Sequence, residues 1–112
     1  MKSKRMKVYS VTVMDDRDTE RQPYWRTIAI FTDVEMAIRA VKENAVDMAE
    51  NGTNQYAVVE KTFLNQIYPT PTSDEGWVDK EIYWFEWNPE KEEYIESEIP
   101  FQYRKVYAFG IG

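Results

Sequence analysis

The chain has 112 residues, of which 43% are hydrophobic and 30% charged, so we expect one folded domain over residues 1–112 and no second domain for a cofactor enzyme. It contains no cysteine and no histidine, which excludes thiol nucleophiles, Ser-His-Asp triads, disulfides and His or Cys metal sites. A net charge of -6 disfavours duplex nucleic acid as a partner. Because the chain has no long apolar run, we expect no membrane span and no secretory signal, and we therefore expect a cytoplasmic protein.

Two strands are predicted near the N-terminus. Residues 6–13 interleave β-branched and aromatic side chains with polar ones, and residues 24–31 repeat this composition. Residues 15–23 between them carry no apolar side chain except Pro23, which predicts a solvated hairpin loop. Because the connection is local, we expect the two strands to pair antiparallel.

One amphipathic helix is predicted after the second strand. Thr32 and Glu35 have the spacing of a capping box, with Thr32 as the capping residue. Apolar residues then recur at helical spacing as far as Met48, and the helix is expected to end at Asn51-Gly52.

Three further strands are predicted at 55–63, 81–87 and 92–98. The first of them has an apolar centre typical of an interior strand. The proline-containing segment 64–80 predicts an irregular excursion, which could act as a lid, and 101–109 predicts an extended tail. The order β-β-α-β-β-β indicates an α+β fold: a small antiparallel sheet of about five strands with one main helix packed on one face.

Catalysis and metal binding have weak support in the sequence. Two acidic clusters could supply an acid and a base: Asp15, Asp16 and Asp18 form one, and Glu92 and Glu93 form the other. The same aspartates could supply oxygen ligands for a hard cation. Both clusters fall in predicted turns and hairpins, where surface carboxylates serve solubility. The sequence Asp15-Asp16-Arg17-Asp18 also lacks the spacing and the glycine of a calcium loop. We therefore predict no enzymatic activity, no metal and no cofactor.

Aromatic residues are concentrated in the second half of the chain. Ten of the 17 lie between Trp77 and Phe109, and one helix cannot cover so many rings on one face of a small sheet. In strand 81–87 the alternation places Tyr83, Phe85 and Trp87 on one face and Trp84 on the other. The second face is therefore expected to pack in a homodimer or to stack a planar ring such as a nucleobase, and the two roles are compatible.

A nucleotide ligand would also need cationic partners for its phosphates. Arg26, beside Trp25, and Arg104 and Lys105, after Tyr103, are the candidates, since arginine binds phosphate through two parallel hydrogen bonds. The alternative for Arg26 is an ion pair with a glutamate on the protein surface.

The order of these segments resembles a family of short phage and prophage proteins, the first type of Thoeris anti-defence proteins. The resemblance is carried by Trp25-Arg26-Thr27-Ile28, the helix ending near 43–50, Tyr56-Ala57-Val58-Val59-Glu60, Ile67-Tyr68-Pro69, Tyr83-Trp84-Phe85 and the terminal Phe109-Gly110-Ile111-Gly112. It implies a homo-oligomeric sponge in the cytoplasm of an infected bacterium. Such a sponge binds a cyclic ADP-ribose-type immune signal between subunits and holds it without cleaving it.

Seven residues are the candidate ligand contacts under this interpretation. We expect Trp84 or a neighbouring ring to stack the base, the two arginines to bind the pyrophosphate, and Asn44 to bind a ribose or phosphate oxygen through its amide. The full set is Trp25, Arg26, Asn44, Trp84, Phe101, Tyr103 and Arg104.

A protein-binding inhibitor is the alternative. Between Asp74 and Glu98 the chain has ten carboxylates and only two lysines, Lys80 and Lys91, interleaved with aromatic residues. Such a surface imitates a nucleic-acid backbone and would occupy the basic groove of a host or defence enzyme, with a strong dependence on salt.

Overall fold

The computed structural model describes residues 6–16, 24–63 and 81–103. Its regular elements, in chain order, are β1 (Lys7–Asp15), β2 (Tyr24–Phe31), α1 (Val34–Lys42), β3 (Tyr56–Phe63), β4 (Ile82–Asn88) and β5 (Glu93–Ser97). Within the described residues, two short 3₁₀ helices follow, Ala45–Asp47 and Phe101–Tyr103. The α+β fold predicted from the sequence is confirmed, and each strand lies within two residues of its predicted bounds.

The five strands form one antiparallel sheet in the order β2-β1-β3-β4-β5. The first two strands pair as predicted, with an irregularity in register between Val11 and Thr12. From β2 the chain passes through α1 to β3, on the far side of β1. As a result β1 and β3 lie in the interior of the sheet, and β3 is the interior strand that its apolar centre predicted.

Both faces of the sheet bury apolar side chains. The helix face, on which α1 lies, packs Val11, Val59 and Phe85 against Ala37 and Val41 of the helix. The opposite face holds a smaller cluster made of Met14, Val58, Trp84 and Tyr103. Alternation along β4 thus separates Tyr83, Phe85 and Trp87 from Trp84, as predicted.

Helix α1 begins one residue later than the sequence indicated. Asp33, not Thr32, is the N-cap: its backbone is extended, and its carboxylate accepts a hydrogen bond of 2.8 Å from the Glu35 amide. The expected capping box therefore does not form. With only nine residues, α1 owes its stability to the burial of Ala37 and Val41 rather than to intrinsic propensity.

The helix ends at Lys42, well before the predicted stop at Asn51-Gly52. Asn44 adopts the left-handed conformation (φ 48°, ψ 49°), which interrupts the helical hydrogen bonds and starts the 3₁₀ helix Ala45–Asp47. The apolar pattern continues beyond this point because Met48 and Ala49 are buried in the same core as the helix. Periodicity alone could not distinguish a longer helix from a helix followed by a packed turn.

In the described segments no helix is long and apolar enough to cross a membrane.

Candidate functional site

The seven predicted ligand contacts do not form one cluster. Arg26 and Asn44 lie on the helix face, where Arg26 is opposite Val13 in the sheet register. Trp25, opposite Met14, lies on the other face together with Trp84 and Tyr103. Phe101 is 81% exposed in the short 3₁₀ helix next to Tyr103. Arg104 lies outside the described residues, as do Lys105, the expected lid 64–80, Asp18 and the tail beyond residue 103.

Trp84 is a core residue rather than a ready stacking surface. Its side chain is only 1% exposed. Its ring stacks on Tyr103, with centroids 5.6 Å apart, and also contacts the tilted ring of Tyr56 at 5.1 Å. A base could stack on Trp84 only after Tyr103 had moved away, so the expected role of Trp84 does not fit the described packing. The number of aromatic residues in the sequence indicated a surplus of rings, but it did not predict that these rings would cover one another.

Tyr103 is fixed by a polar contact as well as by the ring stack. Its hydroxyl donates a hydrogen bond to the Asp16 carboxylate, which joins the 3₁₀ helix at 101–103 to the end of β1. The carboxylate of Asp16, considered above as a candidate acid or metal ligand, therefore has a structural contact.

Arg26 and Asn44 are both engaged with the segment that follows α1. The Arg26 guanidinium pairs with the Glu50 carboxylate at 2.9 Å, and both side chains are more than half exposed. This is the surface ion pair given above as the alternative for Arg26. Asn44 accepts a hydrogen bond from the Ala49 amide through Oδ1 and donates to Asp47 Oδ1 through Nδ2. Its amide thus holds the turn together.

A groove of about 440 Å³ lies between this segment and the turn joining β4 to β5. We call it the hairpin groove, and its lining residues are Asn44, Asp47, Asn51, Trp87, Pro89 and Glu92. It offers an indole ring, amide groups and two carboxylates. Of the six predicted contacts that the structure describes, Asn44 alone lines it, and Arg26 reaches the same segment through Glu50, the neighbour of Asn51.

Sequence reasoning missed the other lining residues of the groove. Trp87 was assigned only to a face of β4, and Asn51 only to the end of the helix. The groove forms because the chain turns back at Asn44 and brings 44–52 against the β4–β5 hairpin, a contact between distant segments. The one available signal was Asn51-Gly52, which marks a turn but not what the turn faces.

The wall of the groove depends on a close approach between Gly52 and Trp87. Gly52 has a φ of +90°, which favours glycine, and a Cβ atom there would lie 3.2 Å from Trp87 Nε1. Tyr94 supports the indole from the core side, with the two rings edge to face at 5.1 Å. The Tyr94 hydroxyl donates to the Asn54 carbonyl at 2.5 Å.

The backbone around the groove is strained at several non-glycine residues. Positive φ angles occur at Asn44, Val46, Asp47, Glu50, Asn51 and Glu92. Val46 is the most unfavourable of them, because a β-branched residue rarely adopts this conformation. Its side chain is 97% exposed, so packing does not offset the strain.

Replacing Val46 by glycine is therefore expected to stabilise the fold. The left-handed conformation costs a non-glycine residue about 1–2 kcal/mol, and glycine loses up to about 1 kcal/mol through its greater freedom in the unfolded chain. We expect a net gain of up to about 1 kcal/mol in urea unfolding. Val46→Ala, which removes the β-branching but retains the Cβ atom, is the comparison and should recover only part of this gain. A destabilised glycine variant would contradict the backbone conformation at this residue.

Two tyrosines should make stability sensitive to alkaline pH. Burial raises the pKa of Tyr94, helped by the negative charges of Asp47 and Glu50. Burial and the hydrogen bond to Asp16 raise the pKa of Tyr103. Because the pKa of both hydroxyls is higher in the folded than in the unfolded chain, the fold favours their neutral form. Their contribution to the free energy of unfolding is therefore complete below the unfolded pKa of 10.0 and is lost as pH rises beyond it.

Thermal unfolding measured across alkaline pH tests this expectation. The melting temperature should fall more steeply above about pH 10 for the wild type than for Tyr103→Phe, which cannot ionise at that position. Equal slopes would exclude Tyr103 as a source of the alkaline sensitivity.

No metal site is evident in the residues that the structure describes, where no three acidic side chains come together to hold an ion.

Comparison of the chain with protein-family models, with curated proteins and with solved structures gives no match.

Proposed function

We propose that this protein binds a cyclic ADP-ribose-type nucleotide signal and sequesters it without cleaving it, as an anti-defence sponge in the cytoplasm of an infected bacterium. The proposal follows the resemblance to the first type of Thoeris anti-defence proteins. The observation that supports it best is the hairpin groove, which combines an aromatic wall with hydrogen-bonding groups.

The groove suits the base and ribose of such a ligand. Trp87 offers a ring for stacking, a contact worth about 1–3 kcal/mol per base. The Asn51 amide, which makes no side-chain hydrogen bond to other described residues, can donate to and accept from a base edge. The Asp47 and Glu92 carboxylates can accept hydrogen bonds from ribose hydroxyls. Trp87 thus takes the stacking role that the sequence suggested for Trp84 or a neighbouring ring.

The pyrophosphate requires a cation, because the groove carboxylates repel it. Arg26 is suitable since its exposed ion pair with Glu50 is worth at most about 1 kcal/mol and is readily exchanged for a bidentate phosphate contact. Arg104 is retained as the second candidate from the sequence.

Sequestration requires a high affinity. The protein must bind the signal more tightly than the receptor that the signal would otherwise activate, and a nanomolar dissociation constant corresponds to a binding free energy of about -12 kcal/mol.

A thermal-shift panel tests the proposal. Purified protein is melted with cyclic ADP-ribose isomers, cyclic dinucleotides, ADP-ribose and NAD. A ligand at about 100 times its dissociation constant should stabilise the fold by about 2.7 kcal/mol. Trp87→Phe and Asn51→Ala should reduce the shift, whereas Met36→Ala, which changes an exposed side chain of α1 outside the groove, should not. A panel without any shift would contradict nucleotide binding.

The acidic surface of the β4–β5 hairpin favours one alternative, an inhibitor that binds a basic protein. The exposed carboxylates of this hairpin and the residue after it are those of Glu86, Glu90, Glu92, Glu93, Glu96 and Glu98. Lys91 is the one basic residue of the described segment 81–103. We propose this function second, because the same charge also serves solubility.

Salt dependence and charge reversal distinguish the two functions. An inhibitor should lose its protein partner as ionic strength rises and on Glu93→Lys with Glu96→Lys, because exposed charges are screened. Nucleotide binding in the hairpin groove should be unaffected by the charge reversal and should weaken with ionic strength only as far as the exposed Arg26 contact is screened, because stacking on Trp87 persists. A partner retained at high salt by the doubly substituted protein would exclude the acidic surface as its binding site.

A further inference from the structure

Asn51 differs from the other asparagines that the structure describes. Its side chain is exposed, lines the hairpin groove and makes no hydrogen bond to the described residues. The side-chain amides of Asn44 and Asn88 accept hydrogen bonds from backbone N–H groups. The amide of Asn54 is buried and donates to the Met48 carbonyl. Among the described asparagines, Asn51 therefore has the least restrained amide.

The residue that follows Asn51 makes this amide reactive. Asparagine is a thermolabile residue, because the backbone nitrogen of the next residue can attack its side-chain carbonyl carbon. Gly52 has no Cβ atom to shield that nitrogen, and the fold requires glycine here: its φ is +90°, and a Cβ atom would lie 3.2 Å from Trp87 Nε1. The wall of the hairpin groove and the reactive pair thus depend on the same glycine.

One hydrogen bond restrains the attacking nitrogen. The Gly52 amide donates to the Ala49 carbonyl at 3.0 Å, in a turn where Asn51 is exposed. A single backbone hydrogen bond contributes little net free energy, and local opening of the turn releases the nitrogen. We therefore expect the folded chain to react at most about tenfold more slowly than the unfolded chain.

We propose that Asn51 is a site of spontaneous modification, at which the side-chain amide is replaced by a carboxylate. Hydroxide removes the proton of the Gly52 nitrogen, which attacks Asn51 Cγ and closes a succinimide ring. The Cγ–Nδ2 bond breaks, and the departing nitrogen takes a proton from water, so that ammonia leaves and hydroxide is regenerated. Water then adds to either carbonyl carbon of the ring and opens it, which gives aspartate or isoaspartate.

Either product changes the hairpin groove. A carboxylate at residue 51 joins those of Asp47 and Glu92, and the amide donor is lost. Isoaspartate also adds one carbon atom to the main chain at the wall of the groove. The effect on binding rests on the proposed function: the added negative charge should lower the affinity for an anionic nucleotide at least about tenfold.

Peptide mapping by mass spectrometry tests the modification without any ligand. The full chain is held at mildly alkaline pH and digested at intervals. Fragment masses should show a gain of one dalton at Asn51, and the peptide should become a substrate of an isoaspartyl methyltransferase. Asn44 and Asn88, followed by alanine and proline, are internal controls and should keep their amides. An Asn51 amide as long-lived as that of Asn44, or protected far beyond tenfold relative to urea-unfolded protein, would overturn the proposal.

Calorimetric titration with a cyclic ADP-ribose isomer tests the effect on binding separately. Protein aged in this way and Asn51→Asp should both bind at least about tenfold more weakly than fresh protein. Asn51→Gln, whose longer side chain would have to close a six-membered ring, should keep its starting affinity over the same time. Equal affinities of fresh and aged protein would overturn the effect on the groove. Absence of binding by fresh protein would overturn the proposed function, on which the modification itself does not depend.

Discussion

Replacing Trp84 by alanine is expected to lower the free energy of unfolding by about 3–5 kcal/mol. The indole is almost completely buried between Tyr103 and Tyr56, and its removal leaves a cavity that these rings cannot fill without losing their own contacts. Domains of this size are stable by only about 5–15 kcal/mol, so the loss would be a large fraction of the total. Urea unfolding followed by circular dichroism measures it.

Phe101→Ala is the matched control for Trp84→Ala. Phe101 is also aromatic and adjoins the same cluster in the chain, but it is exposed, so its removal should change stability by less than about 0.5 kcal/mol. Trp84→Phe, which fills part of the cavity, provides a variant that folds if the alanine variant does not. A Trp84→Ala protein of normal stability that no longer binds nucleotide would restore Trp84 to the stacking role expected from the sequence.

Replacing Tyr94 by alanine is expected to cost a similar amount, about 3–5 kcal/mol. The ring is buried against Trp87, and the hydroxyl bonds to the Asn54 carbonyl. Asn54 in turn donates to the Met48 carbonyl at 2.9 Å. Tyr94 thus connects β5 to the segment that forms one wall of the hairpin groove.

Tyr94→Phe separates packing from hydrogen bonding at this residue. It keeps the ring and leaves the buried Asn54 carbonyl without that donor, which should cost about 1–3 kcal/mol. Ile95→Ala, at the half-exposed neighbouring residue, is the control and should have a small effect. If Tyr94→Phe were as stable as the wild type, the hydrogen bond to Asn54 would not hold the groove wall in place.

Local patterns were sufficient to predict the sheet and its class. Local composition, rich in β-branched, aromatic or apolar residues, located all five strands, and the short connection between β1 and β2 indicated their pairing. The side-chain assignment along β4 was also correct, because alternation in a strand follows from backbone geometry alone. These features depend on residues close together in the chain.

The helix end and the candidate site required information that local patterns lack. Asn44 ends α1 by adopting a left-handed conformation, yet an asparagine inside an apolar repeat is also compatible with a longer helix. Trp84 and Trp87 are three residues apart, and only tertiary contacts decide that Tyr103 covers the first while the second lines a groove. The partner of Arg26 was likewise not predictable from local patterns, because Glu50 is 24 residues away in the chain.

Recovery of the bound molecule tests the central claim most directly. The protein is incubated to equilibrium with a cyclic ADP-ribose isomer, freed of unbound ligand by gel filtration, heated to unfold it, and the released nucleotide is identified by chromatography and mass spectrometry. Sequestration predicts release of the intact cyclic nucleotide from the wild type and much less from Trp87→Phe. Release of a linear product, or of no nucleotide at all, would contradict it.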